Sequence, residues 1–99
     1  MSWRVRYTRA SRDDLLRLYD FLLEQDIEAA KRAMDAIDQS LELLQSFPFT
    51  CRKADPDNPF LRELLVSFGT SGYVALYEIE GNQTVTILAV RHQREDDYH

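Results

Sequence analysis

Apolar and polar residues alternate at the start of the chain, with Trp3, Val5 and Tyr7 interleaved with Arg4, Arg6 and Thr8. A period of two marks a strand with one buried and one wet face, so residues 3–7 predict a first strand. The period then lengthens. Leu15, Leu18, Tyr19, Leu22 and Leu23 recur every three or four positions as one apolar helical stripe, while Arg12, Arg17, Asp20 and Glu24 fall mostly outside it. Ser11 with Asp14 three residues later reads as a capping box for this helix, and Asp13 and Asp14 suit the positive end of its dipole. A second stripe through Ala30, Ala33, Met34, Ile37, Leu41 and Leu44 follows a capping residue, Asp26, and stops before Pro48. The short link at residues 25–27 makes the two helices an antiparallel hairpin.

From Pro48 to Pro59 the composition turns to Pro, Asp, Asn, Lys and Arg, which predicts a loop. Residues 61–68, 73–80 and 83–91 are rich in Val, Leu, Ile, Tyr or Thr and predict three strands. Gly81-Asn82 suits a two-residue hairpin, because both residue types tolerate positive φ, and residues 69–72 suit a looser turn. In the last strand Val85, Ile87 and Ala89 share one face, and Thr84, Thr86, Leu88 and Val90 share the other. The order is β-α-α-β-β-β, an α+β fold in which an α-helical hairpin covers one face of an antiparallel sheet and leaves the other partly open. At 99 residues the chain is expected to be a single domain spanning 1–99.

Charge and composition narrow the function. The net charge of −5, from 12 basic and 17 acidic residues, argues against gripping nucleic acid over many phosphates, since phosphate neutralisation needs a basic face. Any such contact is local. No stretch approaches the roughly 20 apolar residues of a membrane span, and Met1 leads straight into the strand pattern without an export signal, so a cytoplasmic location without membrane association is expected. The single cysteine, Cys51, has no companion at disulfide or metal-ligand spacing and reads as an incidental thiol. Without a Gly-rich phosphate loop, a His-Cys cluster or a Ser-His-Asp order, the sequence calls for no cofactor and no metal.

The densest group of chemically capable side chains is Arg91, His92, Arg94, Glu95, Tyr98 and His99. RNA cleavage needs a base for the 2′-hydroxyl, an acid for the leaving oxygen and a cation beside the phosphate, and all three types occur here. The same residues also read as a charged chain end, with Glu95, Asp96 and Asp97 as a solvated run. Arg4, Arg6 and Arg9 form a second basic group that reads more readily as a solvated or edge-protecting face than as an anion site. Tyr73 and Tyr77 share a strand face where bases could stack, but packing in the core is the stronger reading.

The segment Leu61-Arg62-Glu63-Leu64, the run Ser71-Gly72-Tyr73-Val74-Ala75-Leu76-Tyr77-Glu78, the strand at 85–90 and the following Arg91-His92-Gln93-Arg94 together resemble the RelE/ParE superfamily of toxins from type II toxin–antitoxin systems. The element order over almost the whole chain is similar too. The resemblance implies a growth-inhibiting toxin of the kind tied to plasmid stabilization, held in a hetero-oligomer by a cognate antitoxin. ParE-like members act on DNA gyrase without being nucleases, whereas RelE-like members cleave messenger RNA on the ribosome. Where RelE-like nucleases place an arginine after the Gly-Tyr pair, this chain has Val74, and losing such a charge partner costs roughly a hundredfold in rate. The chain is therefore identified as closer to the ParE-like branch, with no assigned catalytic residue. Its expected target- or antitoxin-binding surface comprises Arg62, Tyr73, Arg91, His92, Arg94, Glu95 and Tyr98. The alternative is a ribosome-dependent endonuclease with Arg91 on phosphate, His92 or Tyr98 in proton transfer, and Arg94 in support. A third reading is an inactive member that only binds its antitoxin. The acidic balance implies compensating positive charge on the partner's contacting segment.

Overall fold

Two helices pack on one face of a five-stranded sheet in the computed structural model of the chain, which describes residues 2–95. Strand β1 (Arg4–Tyr7) leads into helix α1 (Arg9–Leu23), and the chain returns through α2 (Ile27–Glu42), which tightens into a 3-10 turn at Leu43–Gln45. Strands β2 (Arg52–Asp55), β3 (Asn58–Phe68), β4 (Ser71–Glu80) and β5 (Thr84–His92) follow. They lie in the order β1-β5-β4-β3-β2. The expected α+β fold is present, with two corrections. The sheet is mixed, since β1 runs parallel to β5, and it contains an additional strand, β2, inside the segment expected to be a loop. Alternation along a strand reports which face is buried but neither its neighbour nor its direction, so the parallel pairing lay outside that signal.

Strand β2 has no apolar alternation because both its faces are largely wet: Arg52, Lys53 and Asp55 are exposed. Antiparallel pairing with β3 holds it, together with a cross-strand ion pair from Arg52 Nε to Glu63 Oε1 at 3.0 Å. A short, charged edge strand also discourages pairing with other chains. The connecting turn is set by Asp55, whose Oδ1 accepts from the Asp57 N–H at 2.9 Å.

Register across the sheet places Leu64 and Val66 of β3, Tyr73, Ala75, Tyr77 and Ile79 of β4, and Val85 and Ile87 of β5 on the helix-facing side. They meet Leu18 of α1 and Ala33, Ile37 and Leu41 of α2, the stripes that the helical spacing predicts. Leu76 pairs with Ala89 while Tyr77 pairs with Ile87, so Leu88 is an extra residue in β5. This bulge shifts the phase, and Val90 instead of Ala89 continues the core face. The turn before β5 also differs from the expected two-residue hairpin. It has three residues, Gly81, Asn82 and Gln83, with positive φ at Asn82 and Gln83. At Gly72 a side chain has no room, because a Cβ would overlap the Val66 carbonyl.

The start of α1 corrects the expected capping box. Thr8 is the cap, its hydroxyl accepting from the Ser11 N–H at 3.1 Å, and Ser11 and Asp14 are both buried. Their spacing to Leu18 puts all three on one helical face, turned toward the sheet. There Asp14 Oδ2 accepts from the Val90 N–H of β5 at 2.9 Å. A buried charge-assisted bond of this kind contributes more than a neutral one, and its loss leaves a buried donor unsatisfied. Asp14→Ala should destabilise the fold by about 2–3 kcal/mol, and Asp14→Asn, which retains an acceptor, by less. Urea unfolding at unchanged m-value is the measurement that checks this.

Candidate functional site

Past Val90, β5 runs along α1 and leaves a groove of about 540 Å³ between them. Leu18, Phe21 and Leu22 of α1 and Tyr73 of β4 supply apolar walls, while Arg17, Arg94 and Glu95 supply the charge and His92 a polar ring. Phe21, off the buried stripe, is 60% exposed. The positions are set by the helix period: Asp14, Arg17, Leu18, Phe21 and Leu22 lie at successive i+3 and i+4 steps, so anchoring Asp14 to β5 aims the rest along the groove.

Glu95 closes one side. Its Oε1 receives Arg17 Nη1 at 2.7 Å, and its Oε2 receives the His92 backbone N–H at 3.3 Å. Partial burial pushes the Glu95 carboxyl up, but the hydrogen bond and charge of Arg17, then the backbone N–H and ring of His92, outweigh it and hold the group below its ordinary value. The carboxylate read from the sequence as part of a solvated run is therefore a latch between β5 and α1.

His92 is held on three sides. Its Nδ1 lies 3.1 Å from the Arg94 N–H and must accept from it, which puts the proton of the neutral ring on Nε2, 3.1 Å from Ser71 Oγ. Tyr73 packs against the same ring edge-to-face at 5.6 Å between centroids. Tyr73 itself is buried, and burial raises its phenol pKa, so it serves the groove as a neutral wall. Arg91 leaves β5 on the other face. Its Nη1 donates to the carbonyls of His92 and Glu95 at 3.2 and 2.7 Å, closing the turn that follows the strand.

Of the residues singled out from sequence, Tyr73, His92, Arg94 and Glu95 converge on this groove, and Arg91 braces it from behind. Arg62 is elsewhere, donating to the carbonyls of Pro59, Phe49 and Cys51 at 2.7, 3.2 and 2.7 Å. Tyr98 lies outside the described residues. Tyr77 is fully buried, its hydroxyl donating to the Pro48 carbonyl at 2.6 Å, and burial pushes its pKa up. Arg6 is taken up by Thr86 at 2.9 Å and by Glu80. Arg17 and Phe21 had not been singled out. An aromatic residue off the helical stripe was the available signal for Phe21, and a basic residue three positions after a carboxylate on the sheet side was that for Arg17. Among the described residues no three His, Cys, Asp or Glu side chains cluster as metal ligands.

The family model of the ParE toxin of the type II parDE toxin–antitoxin system matches residues 5–97. The chain belongs to the ParE toxin family. This makes it a toxin of a type II toxin–antitoxin system within the ParE/RelE superfamily. The toxin is similar to toxin RelE3 of Caulobacter vibrioides, 36% identical over 85 residues that cover 86% of this chain and 88% of that one. Its fold is that of the chromosomal ParDE system of P. aeruginosa, with a TM-score of 0.75 at 21% identity, covering 92% of this chain and 96% of that one. It is also that of the RelBE2 toxin–antitoxin complex of Mycobacterium tuberculosis, with a TM-score of 0.62 at 24% identity, covering 96% and 95%.

A carboxyl whose pKa is depressed on folding adds stability above its unfolded value and loses that contribution as pH falls through the folded one. Glu95 should therefore titrate below its ordinary range in the folded toxin and move upward in Arg17→Ala. Carboxyl chemical shifts followed from neutral to acid pH read both midpoints.

Proposed function

We propose that the toxin stops growth by binding its cellular target, with DNA gyrase the target class that fits the ParE family, and that it does not cut RNA. The observation that carries this reading is the placement of the candidate residues on two faces of the sheet. His92 faces the helices with Tyr73, while the row Leu65, Val74 and Arg91 crosses the other face in register. A nuclease must bring a cation and a proton-transfer group to one phosphate within hydrogen-bond reach. Here the centre of the outer row is Val74, 2% exposed, where RelE-like nucleases place an arginine. Both nitrogens of the His92 ring already have partners. The groove of Phe21, Tyr73, His92 and Arg94, an apolar trough with charged rims, suits recognition of a protein surface. A cognate antitoxin and a cytoplasmic site of action go with this reading.

The 36% identity to a protein named RelE3 favours a second reading, a ribosome-dependent messenger RNA endonuclease. The two separate cleanly. On the binding reading, induction arrests growth without new codon-phased messenger RNA ends, and the purified toxin inhibits gyrase supercoiling. Phe21→Glu should relieve both effects by about tenfold or more, because it puts an unpaired charge into an apolar contact. New codon-phased ends at arrest, together with supercoiling untouched by excess toxin, would establish the endonuclease instead.

A further inference from the structure

The rim of the groove at Arg94 is held partly by residues outside its lining. Ladder pairing sets Tyr73 of β4 directly opposite His92 of β5, and the pleat puts Ser71, two residues earlier, on the same face as Tyr73. Tyr73 meets the His92 ring edge-to-face, and Ser71 Oγ lies 3.1 Å from its Nε2, reached from the diagonal position. Between them, the Gly72 carbonyl accepts from the Gln93 N–H at 2.9 Å. Three consecutive residues of β4 therefore hold the chain where it leaves β5.

The His92 ring passes this hold onward. The Arg94 N–H donates to Nδ1 at 3.1 Å, so the proton of the neutral ring sits on Nε2 and is donated to Ser71 Oγ. Turning the ring over about its Cβ–Cγ bond would present carbon atoms to both partners, so the two contacts together select one orientation. Glu95 follows directly, and its carboxylate takes both the His92 N–H and Arg17. Among the described residues the ring takes the one side-chain hydrogen bond that Ser71 makes, so its hydroxyl is not spent on the turn before β4.

We propose that Ser71 is a positioning residue for the groove: by holding the His92 ring through Nε2 it fixes, through Nδ1, the Arg94 backbone and with it the rim that the target meets. The inference rests on the reading of the groove as the target-binding surface. Ser71 is uncharged and lies outside the lining, so it acts through the ring and not by contact. Each hydrogen bond of this kind contributes modestly, but the two share one ring, and losing either frees the ring to turn about the other. A rim left unordered must be ordered when the target binds, and that cost appears as weaker inhibition.

Ser71→Ala removes only the hydroxyl, and nuclear magnetic resonance of the 15N-labelled full chain reads the result. The wild-type His92 ring should show a protonated Nε2 and an accepting Nδ1, with an Nε2–H signal protected from water. In Ser71→Ala that signal should be lost to exchange and the Arg94 amide should exchange about fivefold faster, while the Val90 amide, held by Asp14, keeps its wild-type rate. Inhibition of gyrase supercoiling should weaken by about threefold to tenfold, and Ser71→Thr, which restores a hydroxyl, should recover both readouts. Wild-type ring signals and Arg94 exchange in Ser71→Ala would overturn the role, as would equal acceleration at Val90, which marks general loosening. So would altered Arg94 exchange with inhibition kept within about twofold. If the wild-type toxin leaves supercoiling untouched, the reading of the target falls, and the ring and Arg94 signals alone uphold or overturn the hold of Ser71 on the rim.

Discussion

The junction between sheet and helices depends on how β5 is satisfied after β1 leaves it. Strand β1 ends at Tyr7, opposite Ile87, and the Thr8 N–H takes the Ile87 carbonyl while its hydroxyl reaches the carbonyls of Ile87 and Leu88. Two residues farther on, the Val90 N–H is buried and needs an acceptor that no strand supplies. Asp14 provides it from the second turn of α1. A buried backbone donor without a partner costs about as much as a lost hydrogen bond, so this one contact fixes how α1 is rotated against the sheet. Leu18 then falls on the core and Arg17 and Phe21 on the groove, by helical spacing alone.

The charges at the end of β5 follow from the same junction. Arg91 and Glu95 could each have been solvated, but the strand delivers them beside a turn and a helix face that have matching needs. Arg91 occupies the carbonyls of the turn, Glu95 takes Arg17, and the Glu95 N–H returns to the His92 carbonyl at 3.0 Å. Exposed ion pairs contribute little individually, yet here four groups share one network and hold each other's orientation. The result is a groove wall made of polar groups whose positions the fold itself sets, and a wall ordered in advance lowers the ordering cost of the binding proposed for it.

Much of the architecture was legible because it is written in apolar periodicity. The stripe Ala30, Ala33, Ile37 and Leu41 and the alternation of Tyr73, Ala75, Tyr77 and Ile79 both reappear in the core. Part of what escaped has one cause: elements held by polar groups leave no apolar signature. Strand β2 is stabilised by backbone pairing and Arg52–Glu63, and Ser11 and Asp14 are polar residues on a buried stripe. The bulge at Leu88 was hidden for another reason. Whether Ala89 or Val90 continues a face depends on the partner strand's register, which a single strand's composition does not contain. The site divides along the same line. Tyr73, His92, Arg94 and Glu95 were found because they cluster in sequence near the end of the last strand or carry a recognisable motif, while Arg17 and Phe21 reach the groove only through the tertiary anchoring of α1.

Neighbours in sequence are opposites in a strand, and this bears on function. Arg91 and His92 look like a catalytic pair when read along the chain, but the pleat sends them to different faces. Catalysis by two groups requires that both reach one reacting centre, each within hydrogen-bond distance of the atom it serves. Binding has no such requirement, because a partner can contact one surface while residues on the other face hold that surface in shape. The proposed binding role makes only the second demand: His92, Tyr73 and Arg94 line the groove, and Arg91 closes the turn behind it. Substituting Arg91 would then loosen the groove without removing a contact, and its effect on a binding toxin should track the order of residues 92–95 and not the charge lost.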